Sequence, residues 1–573
     1  MTKQDIAIYE TTSARRTPPE SADPITTEVM RHALNSAANQ MKRALIRTAF
    51  SPIIYEVLDF AVAIYDRDIR LLAQAPTLPM FMGTMNFCIE GALEGIGGPS
   101  KLKDGDVILY NWPFGTGAHA QDLCVIMPVF FDGELAGYVI NKAHWNDIAA
   151  KDPYSTDTVD VYQEGVIYPG VKLYEAGVLN EGLQAVVLTN TRVPKAIKGD
   201  LNAQVVSCRA GVAGFEDVLR RFGRETFEAS IELMLDHGEK VMRSYLEKIP
   251  DGVYSASGAL DNDGITDTQV PFEISISIKG SEIEVDFTAS PDETEGPFNC
   301  PLPCTVALSR VAMTLLAGFG EPPNEGQFRP VRVKTRPGSM FHPLPPAPSF
   351  LYYWAALQAV EVIHAAIGKA QAELVPADSG GCIASLTWWG KRTATGNLWA
   401  EGAPHPVGQG ASAHGDGGTM LFVTQSGTRL APMEVWESRN PWIIEKLALA
   451  PDSGGAGKYR GGPGLDLEFR LLEDSFITPV VERTQNQPQG SNGGAPGRAN
   501  GLTIRKPSGE EVWLPKYTRY ALEAGSLVSL STGGGGGYGD PSERTAEAVL
   551  ADVRNGFVTE EQARRDYPHA FAD

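Results

Sequence analysis

Residues 117–145, GAHAQDLCVIMPVFFDGELAGYVINKAHW, decide how the first half of the chain is read. Two β-prone runs, LCVIMPVF (123–130) and ELAGYVINKA (134–143), flank Asp132 and Gly133, a pair whose tolerance of positive φ favours a tight hairpin turn. Centring that turn on Gly133 pairs Asp122 with His144 across the hairpin. A two-residue turn moves the pairing by one position, which still leaves the side chains in reach. His119 lies three residues before Asp122, in the glycine-bearing loop GTGAH. Two imidazoles and a carboxylate are therefore expected at one hairpin mouth. Such a set suits zinc, iron or manganese better than magnesium or calcium. It equally suits satisfied core or turn residues, and spacing alone leaves both readings open. As a fourth metal group, Asp59 at the start of another β-prone run leads, ahead of Asp147, Glu56 and Glu164.

Outward from the hairpin, the chain reads as α+β. Residues 25–50 carry apolar side chains at the spacing of an amphipathic helix, and 60–74 read as strand, turn and strand. Helices are expected over 82–97, 201–223 and 225–249, with further strands over 106–114 and 185–193 (AVVLTNTRV). From Val253 the pattern alternates as β, with a turn at Lys279 and Gly280 and helices near 302–318 and 355–372. Residues 380–540 are glycine-dense with short strands, and a helical tail follows. The expected division is a flexible leader (1–24), a mixed α/β metal-binding domain (25–250), an α+β middle region (251–379) and a β-rich C-terminal region (380–573).

The chain has 573 residues, with 70 acidic against 49 basic ones and a net charge of −21. No basic excess exists to neutralise phosphates or an anionic membrane surface, so neither nucleic acid nor membrane is an expected partner. No apolar run is long enough for a spanning helix, the first residues lack the apolar core of a signal peptide, and six cysteines are scattered. A reduced cytoplasm is the expected location. The run STGGGGGYGDP (531–541) lacks the Gly-Lys-Ser/Thr ending of a P-loop and reads as a turn at a β-domain corner. Tyr352, Tyr353, Trp354, Trp388 and Trp389 read first as core and second as pocket wall. His414 reads as exposed, and Arg47 and Arg192 as ion-pair partners before phosphoryl clamps.

The sequence resembles the hydantoinase B/oxoprolinase family from about residue 23 onward. The likeness rests on many ordered pieces: DPITTEVMRHAL, RTAFSP, the hairpin itself, QEGVIYPGVKL and GDLNAQ, then EGPFNCP, PNEGQFRPV, APDSGGAGKYRGGPGL, GGAPGR and TGGGGGYGDP. The resemblance implies a B-type subunit working with an A-type partner, which uses ATP to phosphorylate a lactam, imide or enolised ketone. No ATP site is expected in this chain itself. It further implies a divalent transition metal (zinc, iron or manganese) held at Asp59, His119, Asp122 and His144. Phosphorylation makes a resonance-protected amide carbon electrophilic, and a metal makes water nucleophilic near neutrality. A carboxylate nearby would act as general base, with Asp147 and Glu164 as candidates. The implied activity is hydrolysis of a C–N bond in a cyclic amide. The alternatives are a subunit of an ATP-dependent ketone carboxylase or a non-catalytic scaffold for the A-type chain. Two departures sit near the implied metal, Trp112 in NWPF and Trp145 after His144. Each reads either as aromatic pocket surface for a bulkier substrate or as a packing replacement.

Overall fold

The computed structural model describes residues 6–11, 23–318, 320, 322–422 and 427–572. Helix Pro24–Thr48 opens on Asp23, whose carboxylate accepts from the Thr26 N–H at 2.7 Å, and on a proline in its first turn. It buries Met30, Leu34, Ala37, Ala38, Met41 and Leu45, spaced for one face. That face lies on helix Pro194–Phe222. The approach is close: a Cβ on Gly214 would stand 2.6 Å from the Ala37 Cβ, so alanine there would push the helices apart.

The long helix covers a seven-stranded antiparallel sheet ordered Leu71–Gln74, Phe60–Asp66, Glu134–His144, Asp122–Phe131, Val107–Tyr110, Pro169–Glu175 and Val178–Leu179. The hairpin is at its centre and buried on both faces, which is why its strands read as almost continuous apolar runs. Its turn is the two-residue kind, with Asp132 and Gly133 at φ 52° and 79°. A bulge between Val129 and Phe130 then takes up the one-residue shift, and Asp122 pairs with His144.

A second sheet runs in the order Ala7–Tyr9, Val331–Thr335, Glu282–Asp286, Val270–Lys279 and Gly252–Leu260. Most of the expected leader lies outside the described residues, but Ala7–Tyr9 pairs with Val331–Thr335. Helix Tyr352–Ala370 packs on this sheet and on helix Leu302–Ala317. Two further antiparallel sheets hold the C-terminal third: Leu398–Ala403, Ser385–Lys391, Ser475–Val480 and Tyr520–Leu522 in one, and Trp442–Leu449, Leu465–Leu471, Leu527–Ser531, Gly501–Arg505 and Glu511–Trp513 in the other. The architecture is α+β. One apolar core runs from Met30 to Leu530 across both expected domain boundaries. Among the described residues no helix is long and apolar enough to cross a membrane.

Two local expectations are corrected. Residues 185–189 of AVVLTNTRV belong to helix Glu181–Thr189, not a strand. Asn180 caps it by accepting from the Leu183 N–H at 3.0 Å, and this local hydrogen bond overrides the β preference of adjacent valines. The glycine run is not a corner turn. Residues 533–537 are buried and thread between other backbones. A Cβ on Gly534, Gly535, Gly536 or Gly537 would lie 1.9–2.1 Å from the carbonyls of Ser453, Gln409, Gln489 and Ala456 respectively. Glycine is needed here because main chain packs on main chain.

Candidate metal centre

The hairpin register delivers the side chains. His119 Nε2 lies 3.1 Å from His144 Nδ1 and 3.1 Å from Asp122 Oδ1, and His144 Nδ1 lies 3.2 Å from the same oxygen. Among the described residues this is the group of His, Cys, Asp or Glu atoms able to share an ion. A point just off the plane of such a triangle is about 2.0–2.2 Å from each corner, the range of zinc–nitrogen and zinc–oxygen bonds.

Partners behind the triangle hold it in that form. His119 Nδ1 donates to the Phe350 carbonyl at 3.0 Å, which leaves Nε2 as a lone pair facing its neighbours. The Tyr352 hydroxyl donates to Asp122 Oδ2 at 3.1 Å, and burial with the charge of Asp122 pushes that phenol far up. Burial alone would raise the Asp122 carboxyl; when no ion is bound and the imidazoles carry their second proton, the charge and hydrogen bond of His119, and then those of His144, hold it well below the usual range.

Asp59 lines the same cavity, outside the tight triangle. Its backbone is tied in, since the His144 N–H donates to the Asp59 carbonyl at 3.1 Å, and Leu58 before it adopts φ 64°. Leucine pays strain for that conformation. The side-chain Oδ1 is sealed from solvent without a hydrogen-bond partner. Burial pushes the carboxyl up to about 7, with His144 pulling it down and Asp122 pushing it up. A partnerless carboxylate oxygen beside two imidazoles and a second carboxylate is the donor set a divalent transition metal takes, so these residues fit such an ion.

The cavity measures about 60 Å³, room for roughly four to six waters at about 10–15 Å³ each. Aromatic side chains (Tyr154, Tyr352, Trp354) and aliphatic ones (Ile53, Leu78) line it, together with Ser385 and Thr387. Of the expected aromatics, Trp388 instead packs in the core on Trp442, and Trp389 stacks on Phe476.

Neither expected base lines the cavity. Asp147 accepts from the Arg192 side chain and N–H and from Thr191 Oγ1. Glu164 Oε1 accepts from the Ser349 and Phe350 N–H groups at 2.7 and 2.9 Å and from Thr158 Oγ1 at 3.0 Å, and burial pushes its carboxyl up to about 8. It thereby grips the residue whose carbonyl orients His119. Glu56 is half-buried and also off the cavity. Trp145 is buried, with Nε1 donating to Gln204 Oε1 at 2.9 Å, and Trp112 tilts against Phe114; neither faces the cavity. Arg47 and His414 are exposed. Tyr154, Phe350, Ser385 and Thr387 escaped the sequence reading, because no local spacing links them to a hairpin more than 200 residues from three of them.

The fold places the chain in one class of proteins. Residues 23–541 match the hydantoinase B/oxoprolinase family, and the chain belongs to it. It is 30% identical to the caprolactamase subunit beta of Pseudomonas jessenii over 561 residues, covering 96% of each chain. The crystal structure of ATP-dependent caprolactamase from that organism superposes with a TM-score of 0.87 at 27% identity, again over 96% of each chain. An acetone carboxylase structure, at 19% identity and a TM-score of 0.87 over 95% of this chain and 79% of that one, shares the fold.

Proposed function

We propose that this chain is the metal-bearing B-type subunit of an ATP-dependent cyclic amidohydrolase, acting on a lactam or imide that an A-type partner has phosphorylated. The observation that carries the reading is the His119–Asp122–His144 triangle with the partnerless Asp59 oxygen in one small, largely apolar cavity. Asp59, His119, Asp122 and His144 would hold zinc, iron or manganese. Such an ion supplies a positive centre that polarises a carbonyl oxygen and makes water acidic enough to attack near neutrality.

The chain's own residues set up the rest. Phe350 fixes the His119 tautomer, Tyr352 steers Asp122, and the aromatic walls exclude bulk water, which strengthens every charge interaction inside. Asp147 and Glu164 act through the loops they hold. The arrangement supports C–N hydrolysis over ketone carboxylation because the relative at 30% identity is a lactamase subunit, whereas the carboxylase likeness lies in the fold.

The test is reconstitution with the A-type partner, ATP and a panel of lactams, imides and ketones, with metal analysis of the purified chain. One equivalent of metal and lactam-stimulated ATP hydrolysis, both lost in His119→Ala, are expected. Bicarbonate-dependent ATP hydrolysis with ketones would favour the carboxylase. Metal well under one equivalent, with an inert His119→Ala, would leave only a scaffold.

A further inference from the structure

Of the residues lining the cavity, Asp59, Ile383, Gly402 and Thr428 are half-buried and the others buried, so it reaches solvent along that flank. Residues 427–429 are held there from two sides. The Arg429 N–H donates to the Val57 carbonyl at 2.8 Å. Gly427 lies so close to Thr77 that a Cβ on it would stand 1.9 Å from the Thr77 carbonyl oxygen. Arg429, next to Thr428, is exposed. Lys42, on helix Pro24–Thr48, reaches the same place: its ammonium donates to the carbonyl of Pro76, which precedes Thr77 and the wall residue Leu78.

These two cations are neighbours without an acid between them. Burial, and then the charge of Arg429, push the Lys42 ammonium below its usual range, and no carboxylate acts against them. Neither side chain forms an ion pair with a described residue, Glu56 beside Val57 included. In a chain with 70 acidic and 49 basic residues, two adjacent unneutralised cations at the opening of a cavity make a receptor for an anion. The interior offers no substitute. Among the described residues no lysine or arginine lines it, and Asp59 and Asp122 already offset the charge of a divalent ion. Size points the same way. A lactam ring of about six non-hydrogen atoms fills a space that holds roughly four to six waters, so a phosphoryl group on that ring has to stay at the opening.

We infer that Lys42 and Arg429 hold the phosphoryl group of the activated substrate at the opening of the metal cavity, with its ring inside. This rests on the amidohydrolase reading above and names the side chains that recognise the activated form. Its consequence is coupling. Water adding to the activated carbon gives an adduct that can expel the ring nitrogen, which takes both protons of the water. That opens the ring to an acyl phosphate, and a second water converts it to the acid and inorganic phosphate. The same adduct can instead expel phosphate and return the intact amide, so that the ATP is spent without ring opening. Two cations on the phosphoryl group retain the activated molecule until the ring has opened.

Inorganic phosphate, released on either course, is the binding probe. Its affinity for the metal-loaded full chain is measured by isothermal titration calorimetry in wild type, Lys42→Gln and Arg429→Gln. Arg220→Gln, at an exposed cation already paired with Glu216, is the control. Lys42→Gln and Arg429→Gln keep a donor and lose the charge, and each should weaken phosphate about tenfold with metal content unchanged, whereas the control should match wild type. In the complex with the A-type partner, both variants should keep the rate of ATP hydrolysis and raise the ATP consumed per lactam or imide ring opened at least about threefold. Wild-type phosphate affinity in both variants, an unchanged ratio of ATP to opened rings, or loss of A-type partner binding in place of phosphate binding would overturn the inference. A wild-type complex that opens no ring strikes the amidohydrolase reading instead, and the phosphate affinities then decide the anion site on their own.

Discussion

Replacing Asp59 by asparagine tests the centre most directly, because the aspartate is costly without a cation and useful with one. Its carboxyl is pushed from 3.8 to about 7. A raised folded-state pKa means that the stability due to this group is fully present below about pH 4 and is lost as pH rises through about 7. Three pKa units correspond to about 4 kcal/mol at pH 8, at about 1.4 kcal/mol per unit. At about 2.1 cal/mol/K per residue, unfolding a chain of this length carries about 1.2 kcal/mol/K of entropy, so that energy is about 3 °C in Tm. The metal-free Asp59→Asn protein should therefore melt about 2–3 °C above wild type at pH 8, with the gap closing toward pH 4. Added zinc should reverse the order, since only the wild type gains the fourth ligand. Differential scanning fluorimetry from pH 4 to 8, with and without chelator, reads both effects. A gap that ignores pH, together with unchanged zinc affinity by chelator competition, would refute the assignment of Asp59.

Glu164→Ala should lower metal affinity about tenfold or more, because Phe350, whose carbonyl orients His119, loses the acceptor of its N–H, and metal titration of the purified chain measures it. Tyr352→Phe removes the donor to Asp122 Oδ2 and should cost about 1 kcal/mol in stability, with a smaller loss of metal affinity, read by denaturant unfolding and the same titration. Trp145→Phe should lower stability by about 1–3 kcal/mol through the unsatisfied Gln204 amide while leaving relative kcat/KM values across a lactam panel unchanged, since the indole does not face the cavity.

The hairpin was legible because its information is local. A turn pair, two apolar runs and three polar residues at its mouth determine a register to within one residue, and the bulge at Val129 resolves that residue. The Asp122–His144 pairing followed from chain geometry alone. What lay beyond reach was most of what tertiary packing brings in. Phe350 reaches the site from just before a helix, and Ser385 and Thr387 from another sheet. The roles of Asp147 and Glu164 were hidden for a related reason. A buried carboxylate near a site in sequence can serve substrate or backbone, and only the positions of Arg192, Ser349 and Phe350 decide between them. Residues 185–189 misled because valine pairs suggest a strand while the Asn180 cap is one residue of weak signal.

The buried glycine run has a consequence for the order in which the molecule can be completed. Gly535 donates to the Gly462 carbonyl and accepts from Gly455, Gly536 donates to Asp378 and accepts from Ala411, and Gly537 donates to Ala495 and accepts from Ser491. Segments spread over more than a hundred residues thus share a single axle that the ribosome supplies after all of them. Until residues 533–537 emerge, those segments lack their common hydrogen-bonding partner, and the loop closures involved are long. The same third of the chain contributes Ser385 and Thr387 to the cavity. His119, Asp122 and His144 are made together with their hairpin, but Phe350 and Tyr352, which hold them, come some two hundred residues later, and the wall residues Ser385 and Thr387 later still.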